Sequence, residues 1–215
     1  MKTGFCKLIL VAGLLFAGKQ FGWTQGFVNL NFEAANIAGY SSGAIPATNA
    51  FPNWTVSPNY ALYNTFSLSG NSISLLDTNS LYLPSPTIQG KFYVLLNSGN
   101  YPGTGIPISI GQTGQVPFAA QSITFWGSIG GLQITFNNQP LSFSTLGSTA
   151  NYSIYGADIS AFAGQTGQLL FTLPPYVGYA TIDNIRFSSA PVPEPASFAL
   201  AGLGTLLFSR LRRRN

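Results

Sequence analysis

Across residues 27–189 apolar and polar side chains alternate with a period near two, not 3.6. In "SITFWGS" (122–128), Ile123 and Phe125 interleave with Ser122 and Thr124, the mark of a strand with one face on a core. The same pattern predicts strands over residues 27–32, 72–76, 91–96, 122–128, 132–136, 141–145, 151–156, 168–173 and 180–187. Gly, Pro, Asn and Ser fill the gaps, as turns require. Asn137-Asn138 lies between two such strands and predicts a tight hairpin, because Asn tolerates a positive φ. One helical turn is expected in "DISAFAG" (158–164), with Asp158 as N-cap and Gly164 ending it in a left-handed conformation. "GQTGQ" occurs at 111–115 and again at 164–168, and reads as two similar corners. Many short strands without a long helix predict an all-β body, two antiparallel sheets packed as a sandwich.

Both ends break this pattern. Lys2 and Lys7 precede an apolar run over residues 8–18, and Thr24 and Gly26 are small. This is the layout of a signal peptide cut before Phe27. Cys6 precedes the apolar run, whereas a lipoprotein signal places its cysteine after it. At the other end residues 196–209 carry no charge and are followed by Arg210, Arg212, Arg213 and Arg214. At ~1.5 Å per residue that run covers ~21 Å, short of a hydrocarbon core of ~30 Å. The arginines would stay cytoplasmic and leave the body outside. Pro191, Pro193 and Pro195 keep the preceding chain extended and accessible. The expected organisation is a signal-peptide helix at 1–26, a sandwich domain at 27–189, and a segment at 190–215 with a short hydrophobic helix.

Charge and composition then exclude several chemistries. The chain has 215 residues, 7% charged and 46% hydrophobic, with a net charge of +4. The positive charge sits at the ends. Residues 27–189 hold Lys91 and Arg186 against Glu33, Asp77, Asp158 and Asp183, a net −2. Two cations make no basic face, so no nucleic-acid partner is expected. There is no His, and the single cysteine is Cys6. Cys–His and Ser–His–Asp catalysis and the usual zinc sites are therefore closed to the body. A glycosidase needs two carboxylates about 5–9 Å apart. Asp158 reads as a cap and Asp77 as a turn residue, so no enzyme is expected, a carboxylate-based glycosidase being the residual case.

Two resemblances add to this reading. Val192-Pro193-Glu194-Pro195-Ala196, the apolar run with Gly202 and Gly204, and the cluster Arg210, Arg212, Arg213 and Arg214 together resemble the PEP-CTERM sorting signal of Gram-negative bacteria. That resemblance implies transient anchoring in the inner membrane, processing by an exosortase, and delivery to the cell surface or beyond, often in exopolysaccharide-producing species. "NLNFEAANIAGY" and "TIDNIRFSS" resemble the first and last strands of galactose-binding-like jelly rolls. This implies a jelly-roll-like sandwich with adjacent terminal strands. It also implies a structural Ca²⁺ beside them at Glu33 and Asp183.

The residues by themselves leave Asp183 open. Strict alternation places it on one face with Ile185 and Phe187, where a carboxylate needs a partner. Ca²⁺ held with Glu33, Arg186, or backbone N–H groups would each serve; no cofactor is expected otherwise. A bound calcium would make the melting temperature fall on chelation. Trp54 and Trp126 lie in strand-like runs and are expected in the core. Tyr60, Tyr63 and Tyr101 stand beside Asn and are the candidate glycan contacts. The expected protein is a non-catalytic surface or matrix component associated with exopolysaccharide, the alternative being a carbohydrate-binding module with a defined glycan site. Its other expected partners are the Sec translocon, signal peptidase and the exosortase. Mass spectrometry of the exported protein would show whether Phe27 is the first residue and whether the tail after Pro195 is gone; the intact chain recovered from the cytosol would refute the terminal assignments.

Overall fold

The computed structural model describes residues 26–67, 70–80, 88–99 and 105–192. Strands β1 (Gly43–Ile45), β2 (Thr55–Ser57), β3 (Ala61–Tyr63), β4 (Ser72–Leu76), β5 (Tyr93–Gly99), β6 (Ile108–Gln115) and β7 (Ser122–Ser128) are followed by β8 (Gln133–Phe136), β9 (Gln139–Pro140), β10 (Phe143–Ser148), β11 (Ser153–Asp158), β12 (Thr166–Leu173) and β13 (Gly178–Ser188). They form an eight-stranded sheet, order β1-β3-β4-β5-β13-β7-β11-β10, and a five-stranded sheet, order β2-β6-β12-β8-β9. The pairing is antiparallel apart from β3 with β4. The fold is the expected all-β, two-sheet jelly-roll-like sandwich. The expected helical flanks at the two termini lie outside the described residues, as do Tyr101 and the sorting residues from Pro193 onward.

The core lies between the sheets. Phe125 of the large sheet meets Phe171 of the small one edge-on at 5.6 Å, and stacks on Tyr155 at 5.2 Å. One end is closed by Phe32, Phe51 and Trp54, all buried. Trp54 Nε1 donates to the Asn29 carbonyl at 2.9 Å, which satisfies the one polar atom its ring brings inside.

Several local expectations hold. Asn137 and Asn138 turn the β8–β9 hairpin with φ of 48° and 63°. Asp158 Oδ1 accepts the Ser160 N–H at 2.8 Å, as expected, but the 3-10 turn over Ser160–Phe162 has Ile159 at its N-cap, so Asp158 stands one residue before the predicted cap position; Gly164 follows at φ 76°. The two "GQTGQ" copies are not separate corners. Gln115 pairs with Thr166 and Gly114 with Gly167, so each copy is the other's antiparallel neighbour.

Other expectations fail. Residues 27–32 form no strand; Asn29 and Phe32 have positive φ (51° and 58°), which breaks an extended run. The segment is held instead by Gln112, whose Oε1 accepts the Val28 N–H at 2.7 Å while its Nε2 donates to the carbonyls of Val28 and Asn53. Its proximity to the last strand survives as one bond, Ile185 N–H to the Leu30 carbonyl at 2.9 Å. β1, β2, β3, β6 and β9 lie outside the predicted ranges; in β6 the glycines and glutamines hide the alternation of Ile108, Ile110 and Gln112 toward the core.

Tyr63 also differs from the expectation. It is 3% exposed and points into the core, where its hydroxyl donates to Asp77 Oδ2 at 2.6 Å. Asp77 Oδ1 accepts from Asn64 Nδ2 at 2.7 Å and from the Asn79 N–H at 2.8 Å. Burial pushes the Asp77 carboxyl up, but the hydrogen bonds from Tyr63, Asn79 and Asn64 outweigh it and hold the carboxyl below its usual value. Burial, then Asp77, raises the Tyr63 phenol. Asp77 is thus a turn residue that also anchors the core edge. A depressed folded pKa gives stability that is complete above about pH 5 and is lost as pH falls below about 4. Asp77→Ala is expected to cost about 2–4 kcal/mol at neutral pH by urea titration, since it strands two buried donors. The acid limb of the wild-type stability profile should flatten in Asp77→Asn.

Candidate functional site

β13 lies between β5 and β7, and its register shifts between Asp183 and Arg186. The cause is Asn184, at φ 49°. The bulge breaks the alternation, so Ile182 and Ile185 both face the core while Asp183 pairs with Trp126 on the outer face. Asp183 therefore does not share a face with Ile185 and Phe187 as strict alternation predicts. It is still fully buried, because residues 88–92 cross over it.

That crossing segment is a strap fixed by two carboxylates. Asp183 Oδ2 accepts the Gln89 N–H at 2.8 Å, and its Oδ1 accepts the Asn184 N–H at 2.6 Å. Glu33 Oε1 accepts the N–H groups of Lys91 and Phe92 at 2.8 and 3.0 Å. Between them Gly90 (φ 62°) lies so close to the Glu33 carboxylate that a Cβ there would collide with it. Burial pushes the Asp183 carboxyl up to about 8 against the pull of the Asn184 and Gln89 N–H groups, and the Glu33 charge adds to the rise.

The structure thus brings Glu33 and Asp183 to one segment, as the paired expectation required. Backbone N–H groups are the partners it gives them; Arg186 turns away to Asn184. The donor set still suits calcium in kind. Besides the two carboxylates, Gln89 Oε1 is buried without a hydrogen-bond partner, and calcium takes carboxylate and amide oxygens. No group of three or more His, Cys, Asp or Glu gathers among the described residues. An ion held here would rest on Glu33, Asp183 and Gln89.

The second feature is a band on the outer face of the large sheet. Trp126 is not in the sandwich core. It stacks on Tyr152 (5.1 Å between centroids, 9° between planes) and belongs to a small outer cluster with Leu76, Ile88, Tyr93 and Leu95. The Arg186 guanidinium lies over the Trp126 ring, 5.8 Å from its centroid, and Arg186 Nε donates to Asn184 Oδ1 at 2.8 Å. On its other side Tyr152 lines an open cavity of about 210 Å³ with Ser128, Thr149, Asn151, Ser153 and Tyr155. Hydroxyl and amide groups dominate that lining. The volume falls below the ~300–1,000 Å³ of drug-sized pockets and suits one small polar unit.

The tyrosines predicted to contact glycan do not form this band. Tyr63 is in the core. Tyr60 is 43% exposed, and its hydroxyl donates to the Asn71 carbonyl at another part of the surface. Tyr152 and Arg186 were missed, although Asn151-Tyr152 repeats the Asn–Tyr adjacency of the other candidates. The available signal was in "SITFWGS": with Ile123 and Phe125 inward, Trp126 must point out.

An all-β sandwich with an aromatic and hydroxyl-lined outer band is the class of protein these residues define. Residues 191–214 match the PEP-CTERM protein-sorting motif. The chain is accordingly a sorting-tagged, exported protein, and the motif implies processing by an exosortase-type membrane enzyme after transient anchoring at the C-terminus. No helix among the described residues is long and apolar enough to cross a membrane. No curated protein matches the chain. Among solved structures, the enzymatically active domain of bacteriophage CBA120 tailspike protein 4 aligns over 76% of this chain and 21% of its own, at 14% identity and a TM-score of 0.41. TmCBM61, solved in complex with β-1,4-galactotriose, aligns over 76% of this chain and 97% of its own, at 15% identity and a TM-score of 0.36. The family 11 carbohydrate-binding module from Clostridium thermocellum aligns over 71% of this chain and 98% of its own, at 10% identity and a TM-score of 0.35.

The strap makes a direct prediction. Glu33→Ala should lower stability by about 1–3 kcal/mol, because two N–H groups lose a charged acceptor. The hydrogen bonds present lead us to expect the same wild-type melting temperature in EDTA and in calcium; a fall on chelation would assign an ion to Glu33, Asp183 and Gln89.

Proposed function

We propose that this exported sandwich is a non-catalytic component of the cell surface or extracellular matrix that adheres to exopolysaccharide through the band around Trp126 and Tyr152. The observation that carries the reading is the meeting, at Tyr152, of an aromatic stack with a hydroxyl- and amide-lined cavity beside the β10–β11 turn. Sugars are held in this way, by flat apolar contact plus a few placed polar groups. The sorting motif supports delivery to where such polymers lie. Export by the Sec translocon and signal peptidase, with Phe27 as the mature start, belongs to the same reading.

A non-catalytic role is supported by the commitments of the four body carboxylates. Asp77 holds Tyr63 and Asn64, Asp158 accepts the Ser160 N–H, and Glu33 and Asp183 hold the strap. None is a spare acid or base. The structural cavity favours a defined glycan site over diffuse adhesion, so the carbohydrate-binding alternative differs from the main reading in saturability alone.

Affinity electrophoresis of the exported protein in gels cast with polysaccharide tests this. Retardation by at least one polymer is expected. Tyr152→Ala should weaken it about fivefold, the loss of ~1 kcal/mol of aromatic contact, and Asn151→Ala should weaken it without changing the melting temperature. No retardation by any polysaccharide would overturn the proposal, and release of reducing sugar would replace it with an enzyme.

A further inference from the structure

Arg186 gives the outer band a direction. Thr124, Trp126 and Ser128 alternate along the outer face of β7. Arg186 is paired with Thr124 at one end, while Ser128 lines the cavity at the other. Trp126 and Tyr152 stand between. Four residues of strand at ~3.4 Å each make this a track of ~14 Å, longer than one sugar ring.

The charge on the track is unopposed. Arg186 is exposed, and its partners among the described residues are the Asn184 amide and the Trp126 ring, both neutral. Its Nε is used by Asn184, which orients the guanidinium and leaves the two Nη groups for a ligand. The four body carboxylates are engaged elsewhere, and Lys91, the other body cation, lies over Phe92. A guanidinium held by a side-chain amide above an indole ring is a preset fork for a planar carboxylate.

We infer that the band selects an acidic oligosaccharide, with a uronate carboxylate on Arg186 and a neutral sugar unit in the cavity beside Tyr152. This rests on the glycan-adhesion reading above and names its substrate class. Tyr152 supplies aromatic contact that any pyranose face can use. Discrimination comes from Arg186, because a neutral glycan leaves that guanidinium without an anion while an acidic one satisfies it.

Calorimetric titration of the exported protein with a galacturonic acid hexamer and a β-1,4-linked galactose hexamer, at low and high salt, tests the inference. The acidic hexamer should bind about tenfold more tightly at low salt, and added salt should narrow the gap. That comparison needs only the wild type. Arg186→Gln should abolish the preference by weakening the acidic hexamer about tenfold, and Lys91→Gln, outside the band, should retain it. Equal binding of the two hexamers by the wild type would overturn this inference and leave the glycan reading standing. So would a preference that survives Arg186→Gln, or displacement by acetate or inorganic phosphate as effective as by the acidic hexamer. Failure of both hexamers and of the polysaccharides above to bind would remove the two readings together.

Discussion

The large sheet depends on one left-handed residue. Asn184, at φ 49°, creates the bulge in β13. Asn enters this region more readily than most residues, which makes it the suitable side chain for the position. Without the extra residue, period-two alternation would turn Asp183 toward the core beside Ile185, where an unpaired carboxylate is very costly. With it, Ile182 and Ile185 both remain inward, and Asp183 moves beneath the strap, where backbone N–H groups meet it. The same bulge frees the Ile185 N–H from the ladder, and the Leu30 carbonyl takes it. Arg186 is thereby set on the outer face next to Trp126. The N-terminal segment, the strap and the outer band are therefore three consequences of one backbone conformation.

Neutral groups do most of the tying elsewhere. Gln112 holds the N-terminal segment through two hydrogen bonds to Val28, with a third to the Asn53 carbonyl, and Asn137 Oδ1 accepts the Gln168 N–H across the hairpin. The few carboxylates bind backbone N–H groups or neutral side chains. Hydrogen bonds to backbone are insensitive to ionic strength, whereas exposed ion pairs weaken as salt rises. For a protein exported out of the cell, a fold tied in this manner holds its shape as the salt around it varies. It also leaves Arg186 without a local counter-ion among the described residues, so the property that stabilises the body gives that guanidinium room to act.

The sequence made the fold class legible because alternation is local: "SITFWGS" is bounded as predicted, and the Asn137-Asn138 hairpin and the turn after Asp158 follow from turn chemistry alone, the turn one residue later than predicted. What it hid was anything settled between distant segments. Whether "GQTGQ" is a corner or a strand depends on its copy lying alongside it some fifty residues away, where glycine faces glycine (Gly114 with Gly167). The positive φ values of Asn29 and Phe32 answer to Gln112 and to the aromatic plug, and neither is visible in residues 27–32. Tyr63 and Tyr60 look alike in sequence, both beside Asn. One is buried because β3 turns it onto Asp77, and the other is exposed just before that strand begins. The Glu33–Asp183 association was legible as a pairing, but its direction was misjudged, since a bulge reverses every face assignment beyond it.

The sorting segment leaves from the same strand that carries this site. β13 ends at Ser188, and the next residues are tied down: Ser122 Oγ donates to the Ala190 carbonyl at 2.7 Å, and the Ala190 N–H donates to Ser188 Oγ at 3.0 Å. From Ala190 to the first residue of the apolar run, Ala196, even a fully extended chain reaches no more than ~20 Å. Any anchored form therefore holds the Ser188 end of β13 near the bilayer, with Arg186 two residues back from it. The cavity at Ser128 is six residues along β7 from Ser122, the partner of Ser188, ~20 Å at the usual rise. A polymer lying along the band thus runs outward from its charged end to its neutral end. The covalent shortness of the tether, acting with the register of β13 on β7, sets that polarity without any interface between body and membrane.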